Sequence, residues 1–458
     1  MTKEELQNKN VTVIGAARSG IAAAKLLKKL DVKIFISENA AQQKLKYFDD
    51  LQKLAVPFET GGHTERALDA DVIILSPGVP GTIPVIVEAQ KRKIKIVSEV
   101  EFASWFCAAV IIAVTGTNGK TTTTALLGQM FIDAGWETFI GGNTGNAFSN
   151  FVLSTTQKSV VVLETSSYQL DFTETFHPHI SILTNITPDH LNRYENNILQ
   201  YAASKNKISA QQTKDDLFIY NADNEWTKTI LPVAIERTRC VGFSSSHKLD
   251  EGAFLYESAI IAKNKNAERT IAESEKIRIP GKHNIENALA ATLAALEMGI
   301  PPAQIAHTLA TFPGVEHRIE FVAEKNRVMF YNDSKATNVD SLEKALQAFT
   351  LKENKIILLL GGREQAGGND YSQIEELIAK NVRTIIAIGE SAEKIAQYFS
   401  QKNRTVVATS MKEAIEFAQH ESVAGDIVLL SPACKSFDWF EDFEHRGKVF
   451  KELVYQLQ

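Results

Sequence analysis

The feature that most constrains this chain lies a quarter of the way along it. An apolar run over residues 111–114 breaks into Thr115-Gly116-Thr117-Asn118-Gly119-Lys120-Thr121-Thr122 and passes directly into helical periodicity over 121–134. A buried strand, a glycine turn and a helix in that order belong to α/β layers. The glycines let backbone N–H groups turn inward onto phosphate oxygens, and the helix start adds favourable partial charge. Lys120 supplies a full positive charge, and the Thr121 hydroxyl can sit on Mg²⁺. The match to a strict phosphate loop is imperfect, because that pattern asks for glycine where Val114 stands.

The rest of the chain repeats the same alternation. Strands are expected over 11–14, 32–36, 72–75 and 94–97, with a helix over 21–30 between the first two. A helical segment at 99–106 leads into the run at 111–114, and further parallel strands are expected at 160–163 and 180–183. Residues 243–279 are more polar and less regular, and read as a small β-rich elaboration. An alanine-rich helix over 284–298 stops at Gly299. A third unit starts near Gly314, with strands at 328–331, 356–360, 384–388, 406–408 and 427–430. A length of 458 residues fits three domains, and the expected boundaries are 1–98, 99–313 and 314–458.

Composition narrows the function classes. A net charge of −6 with mixed signs argues against a protein that coats nucleic acid. Cys107, Cys240 and Cys434 stand far apart and form no zinc pattern, which fits a reducing compartment. The polar start MTKEELQNKN has no signal-peptide core, and the apolar stretch near 108–114 is too short to span a bilayer. The expectation is a cytoplasmic, monomeric protein with no membrane insertion.

Other acids and bases fall just beyond expected strands, where parallel sheets bind ligands. Glu164 ends the strand at 160–163, and Asn185-Ile186-Thr187-Pro188-Asp189-His190 follows the next one. Gly15-Ala16-Ala17-Arg18-Ser19-Gly20 resembles a dinucleotide fingerprint, but Ala17 replaces the glycine that lets backbone approach a pyrophosphate. Both a phosphate-holding helix start and a plain tight turn remain open there. Glu38 lies where a ribose or base could be met. In the third unit, His317-Arg318-Ile319-Glu320, Asn332-Asp333-Ser334-Lys335-Ala336-Thr337-Asn338 and Ser431-Pro432-Ala433-Cys434-Lys435-Ser436 form a second set of polar strand-end loops.

TGTNGKTTT, ETSSYQL, NITPDHLNRY, GKHNIENALAA, HRIE, NDSKATN and SPACKSFDWF occur in that order, and the series resembles the Mur ligase family over essentially the whole chain. The last three look most like the branch that adds D-glutamate. The resemblance implies three domains: a Rossmann-like UDP-binding domain, a central P-loop ATPase domain with a mostly parallel sheet, and a C-terminal Rossmann-like domain. It implies an ATP-dependent, Mg²⁺-requiring ligase that adds D-glutamate to UDP-N-acetylmuramoyl-L-alanine for peptidoglycan. Gly116, Thr117, Asn118, Gly119, Lys120, Thr121 and Thr122 would hold ATP, with Asn284, Asn287, Arg318, Asp333 and Lys335. Thr121, Glu164, His190 and a carbamylated Lys205, fifteen residues past His190, would hold metal. Lys120, Glu164, His190 and Lys205 would be catalytic. Ser19, Ser37, Gly78, Asn143 and His190 would meet the UDP substrate. Thr337, Ser436, Phe437 and Phe443 would cradle D-glutamate.

One loop departs from the pattern. Some members of the branch carry a lysine after the Gly-Gly near 362, whereas this chain reads Gly362-Arg363-Glu364-Gln365-Ala366-Gly367-Gly368. Arg363 is the expected substitute, since its fork can grip a carboxylate in two places. Two other readings stay open: a ligase of the same family for a different amino acid, and a nucleotide-gated ATPase switch.

Overall fold

The computed structural model describes residues 1–189, 191–265, 267–349, 355–364 and 368–457. The fold is mixed α/β, with three domains each built on one sheet. The first sheet comprises β1 (Asn10–Ile14), β2 (Lys33–Glu38), β3 (Phe58–Thr60), β4 (Val72–Leu75) and β5 (Lys95–Ser98). Its order is β3-β2-β1-β4-β5, parallel throughout. The chain reverses direction across the sheet at β1, so the carboxyl ends of β1 and β4 flank a crevice suited to a ligand.

The second sheet holds β6 (Val110–Thr115), β7 (Glu137–Gly142), β8 (Ser159–Glu164), β9 (Ile180–Leu183), β10 (Leu217–Asn221) and β11 (Arg239–Ser244). It continues through β12 (Gly252–Tyr256), β13 (Ala259–Asn264) and β14 (Ala267–Glu273). The order is β14-β13-β12-β11-β10-β9-β6-β8-β7. It is parallel up to β12, after which β13 and β14 run antiparallel. The expected β-rich elaboration over 243–279 is therefore the antiparallel margin of this sheet.

The third sheet holds β15 (Glu320–Lys325), β16 (Val328–Asn332), β17 (Ile356–Gly361), β18 (Val382–Ile388), β19 (Arg404–Val407) and β20 (Ile427–Leu430). Its order is β15-β16-β20-β17-β18-β19, with only β15 antiparallel.

Strands legible in the sequence are those buried on both faces. Every residue of β4, β8, β9, β17 and β20 is buried, which is why they read as continuous apolar runs. Strands β3, β7, β10, β11 and β15 were not expected from the sequence. Phe58-Glu59-Thr60 sits at a sheet margin and is only half-buried, so it carries no apolar run. The chain divides into two compact units, one of Met1–Ser274 with Glu286–Thr308 and one of Glu275–Ile285 with Leu309–Gln458. Among the described residues, no helix is long and apolar enough to cross a membrane.

Candidate active site

The turn after β6 is held open by two left-handed glycines. Gly116 has φ +149° and Gly119, the cap of helix Lys120–Asp133, has φ +83°. A Cβ on Gly116 would lie 1.9 Å from Thr184 Oγ1, and one on Gly119 would lie 2.2 Å from Asn287 Oδ1. Neither position tolerates a side chain. The backbone N–H groups of Thr117 and Asn118 are tied to Asn185, to its O at 2.9 Å and its Oδ1 at 2.9 Å. Lys120 folds over the turn and donates to Gly116 O at 3.0 Å and Thr117 O at 2.8 Å. Asn287 accepts from Thr123 Oγ1 at 3.1 Å, which fixes it beneath the start of the helix.

Glu164, at the carboxyl end of β8, collects three donors. Thr121 Oγ1 donates to Oε2 at 2.7 Å, while Asn143 Nδ2 and Thr144 Oγ1 donate to Oε1 at 2.9 and 2.8 Å. The carboxylate is only 3% exposed, so these hydrogen bonds replace the water it has lost. The pair of Thr121 and Glu164 that the sequence placed on two different elements is thus in direct contact. Thr144 was not singled out in the sequence, and its position one residue past Asn143 was the available signal.

Lys205, on helix Ile198–Asn206, is 2% exposed and donates to Gly116 O at 2.7 Å. Its Nζ also lies 4.5 Å from the centre of the Tyr201 ring. Burial, with the charge of Lys120 nearby, holds its amine well below the usual lysine range. Lys120 and Lys205 therefore share the carbonyl of one glycine, with burial biasing Lys205 toward the neutral amine.

These side chains face a cavity of about 270 Å³ lined by Gly78, Lys120, Asn143, Ser166, Ser167, Tyr168, Asp189, Arg193, Tyr201 and Lys205, together with Pro77. Gly78 comes from the edge of the first sheet, which brings the two sheets' loops to one space. Arg193 donates to Gly78 O at 3.1 Å and stacks 4.0 Å above the Tyr168 ring. Arg18, in the first turn after β1, donates to Asn143 O at 2.7 Å. Both arginines lie inside motifs legible in the sequence, but their contacts depend on pairings 115 and 125 residues apart. His190 lies outside the described residues.

At the edge of the first sheet, Ser19 is buried at the start of helix Arg18–Lys29. Gly20 packs so closely that a Cβ would meet Gly15 O at 1.8 Å. Ser37 is fully buried, with its hydroxyl 2.6 Å from Glu59 Oε1 and 2.7 Å from His63 Nδ1. The Glu38 carboxylate accepts from the backbone N–H groups of Ala16 at 2.6 Å and Ala40 at 2.8 Å. Glu38 thus braces the turn, which is the structural alternative to meeting a ribose.

In the second compact unit the carboxyl ends of β16, β17 and β20 bring another set together. Asp333 is buried, accepting from Ser431 Oγ at 2.7 Å and Ile319 N at 3.2 Å. Burial pushes its carboxyl up to about 7. Lys335 lies 5.6 Å from the Phe443 ring centre, and Ser334 donates to Phe443 O at 2.7 Å. Arg446, also buried, grips Ser334 Oγ and O at 3.0 and 2.8 Å. Arg318 is exposed, Thr337 half-buried, Ser436 buried and Phe437 exposed. Arg363 and Lys435 exchange backbone hydrogen bonds of 2.9 Å, but the Arg363 guanidinium is already forked onto Glu390. Asn284 donates to Pro280 O at 2.6 Å. Gln365, Ala366 and Gly367 lie outside the described residues.

Three family descriptions match the chain in series: a MurD N-terminal domain over 10–83, a Mur ligase middle domain over 114–295, and a Mur ligase glutamate ligase domain over 317–434. UDP-N-acetylmuramoylalanine–D-glutamate ligase from Chloroherpeton thalassium is 42% identical, with all of both chains covered. The enzyme of the same name from Salinibacter ruber is 40% identical, again with all of both covered. Among solved structures, UDP-N-acetylmuramate-alanine ligase MurC from Thermotoga maritima aligns with TM-score 0.58 at 20% identity, over 98% of this chain and 99% of that one. MurF from Acinetobacter baumannii aligns with TM-score 0.60 at 16% identity, over 97% and 93%. These structural likenesses speak for the fold.

Proposed function

This chain belongs to the Mur ligase family, in the branch of the UDP-N-acetylmuramoylalanine–D-glutamate ligases, and from that premise we propose that it joins D-glutamate to UDP-N-acetylmuramoyl-L-alanine with cleavage of ATP. The observation that carries the reading is the convergence of Lys120, Thr121, Glu164, Asn143 and Lys205 around one glycine turn beside the first sheet's Gly78.

A carboxylate is a poor acyl donor, so it is first phosphorylated. An oxygen of the L-alanyl carboxylate attacks the γ-phosphorus, the bond to the β–γ bridging oxygen breaks, and ADP departs. The amine of D-glutamate then adds to the acyl carbon. The tetrahedral intermediate expels inorganic phosphate, the nitrogen loses a proton, and the amide remains. Little covalent chemistry falls to the protein, whose work is positioning and neutralising charge. Lys120 exchanges its bonds to the Gly116 and Thr117 carbonyls for phosphate oxygens. Gly116 and Gly119 leave room for the phosphates, since a Cβ at either would fill the turn. Asn143 and Gly78 position the acyl end of the UDP substrate, with Ser19 and Ser37 shaping its other end.

The Thr121 hydroxyl and Glu164 carboxylate are hard oxygen donors, which suits Mg²⁺, an ion that needs few protein ligands because waters and phosphates supply the rest. Once bound, Mg²⁺ would neutralise charge on the transferring phosphoryl group. His190 joins this set by its motif. Lys205 completes it as a carbamate: its neutral amine adds CO₂ and releases a proton, turning a cation into an anionic oxygen ligand. The support is its burial, which favours the neutral amine that the addition requires.

Asn284, Asn287, Arg318, Asp333 and Lys335 serve the nucleotide, and Thr337, Arg363, Ser436, Phe437 and Phe443 serve D-glutamate. Domains run over 1–98, 99–313 and 314–458; each range holds one whole sheet. The enzyme works in the cytoplasm as a monomer, without nucleic-acid partners. The test is phosphate release from ATP with UDP-N-acetylmuramoyl-L-alanine and each amino acid in turn. D-glutamate should be used and L-glutamate, L-alanine and diamino acids rejected. A better rate with any of those would end the D-glutamate assignment, and release independent of any amino acid would end the ligase reading.

A further inference from the structure

Three groups at the carboxyl ends of β2 and β3 form a chain whose protons have only one consistent arrangement. Ser37 Oγ has one proton and two neighbours, Glu59 Oε1 at 2.6 Å and His63 Nδ1 at 2.7 Å. An ionised carboxylate only accepts. Glu59 already accepts from Thr64 N at 3.0 Å and Thr64 Oγ1 at 2.6 Å, so it faces donors on every side. The Ser37 proton must therefore point to Glu59, and Ser37 Oγ must accept from His63 Nδ1–H. In the neutral ring the other nitrogen, Nε2, then carries a lone pair. His63 is part-exposed, and its Nε2 makes no hydrogen bond with any described residue. Gly61 N–H and Gly62 N–H strap the loop to Ala40 O and Glu38 O at 3.0 and 3.3 Å, fixing the ring at the mouth of the sheet.

We propose that His63, oriented by Ser37 and Glu59, reads the base of the nucleotide substrate by accepting the N3–H of uracil at Nε2. The proposal rests on the UDP-substrate reading above. Uracil has one ring N–H donor available in a nucleotide, whereas cytosine presents an acceptor at the same place, so an acceptor-only nitrogen separates the two. Ser37 and Glu59 are positioning residues, the first buried and the second half-buried. The charged groups facing His63 are Glu59 and Glu38; burial outweighs their pull and lowers the ring below its ordinary value, which keeps it neutral near pH 7.

The experiment uses the full-length enzyme with UDP, CDP and N3-methyl-UDP as probes in titration calorimetry, and ¹⁵N-edited NMR of the His63 ring. UDP should bind at least about tenfold more tightly than CDP or N3-methyl-UDP. The NMR should report the proton on Nδ1. His63→Ala should remove the preference without altering the KM for ATP. In Glu59→Gln the new amide can donate to Ser37, whose own proton then turns to Nδ1 and moves the ring proton to Nε2, so the preference for UDP over CDP should shrink or reverse. A ring protonated on Nε2 in the unaltered enzyme, or equal binding of UDP and N3-methyl-UDP, overturns the proposal. If UDP itself does not bind and UDP-N-acetylmuramoyl-L-alanine is not turned over, the underlying substrate reading has failed instead.

Discussion

The turns at residues 15–20 and 116–120 invite comparison, because both follow an interior parallel strand and open a helix. Their electrostatics are opposite. In the first, the Ala16 N–H that could meet an anion is taken by the Glu38 carboxylate at 2.6 Å, and Arg18 is drawn away to Asn143 O. In the second, the Thr117 and Asn118 N–H groups meet the neutral Asn185 instead of an acid, Lys120 lies across the turn, and Lys205 backs it. Glycine spacing is similar enough to suggest phosphate in both places. The placement of fixed charge is what separates the two turns, and it is the ground for assigning the triphosphate to the second in the proposed function.

The harshest test of that contrast is Lys120→Ala. Phosphate release should fall about a hundredfold or more, by analogy with loss of a single preorganised charge donor, while the melting temperature barely moves because Lys120 supports no core. Normal turnover in the folded variant would erase the distinction between the two turns. Lys205→Ala should lose most activity too, and millimolar formate or acetate should restore part of it by replacing the carbamate's oxygens. Full activity without added carboxylate would exclude the carbamate.

A milder break comes from the other turn. Glu38→Ala leaves the Ala16 and Ala40 N–H groups without their acceptor, at roughly 1–3 kcal/mol of stability. The KM for the UDP substrate should rise several-fold with that for ATP unchanged; a change confined to ATP would mean the turns had been assigned the wrong way round. The smallest effect concerns Asp333, whose buried carboxyl is raised to about 7. A raised carboxyl stabilises the fold when protonated, and that contribution is lost as pH rises through 7. Between pH 6 and pH 8 the protein should lose about 1 kcal/mol relative to Asp333→Asn. Parallel pH curves for the two proteins would show that Asp333 does not titrate there.

Much of this was legible in advance, and the reason differs by region. Residues 111–122 fix a strand, a turn and a helix by local chemistry alone, so the expected strand and helix match β6 and helix Lys120–Asp133 within a residue. Thr121, at the helix start after β6, and Glu164, at the end of β8, were both expected at the ligand edge of one parallel sheet, and their direct contact is what the tertiary structure adds. The margins were harder: β3 and β15 are short or half-exposed, and polar side chains hide their periodicity. Side-chain commitments were hardest. Arg363 was expected to grip a carboxylate of D-glutamate, and what the sequence does not show is the fork its guanidinium makes onto Glu390. Ser37 was expected where the UDP moiety is held, and what the sequence does not show is that its hydroxyl is buried between Glu59 and His63.

By itself the sequence determined the α/β class, the three-sheet organisation and the residue types gathered at each strand end, because these depend on periodicity and local backbone preference. Only the tertiary structure decided which partner each polar group keeps. Burying a hydroxyl, carboxylate or guanidinium without a partner is costly, so its orientation is set by neighbours that arrive from remote parts of the chain. Glu59 reaching Ser37 from twenty-two residues away, and Lys205 reaching Gly116 from eighty-nine, are commitments that no local reading could supply.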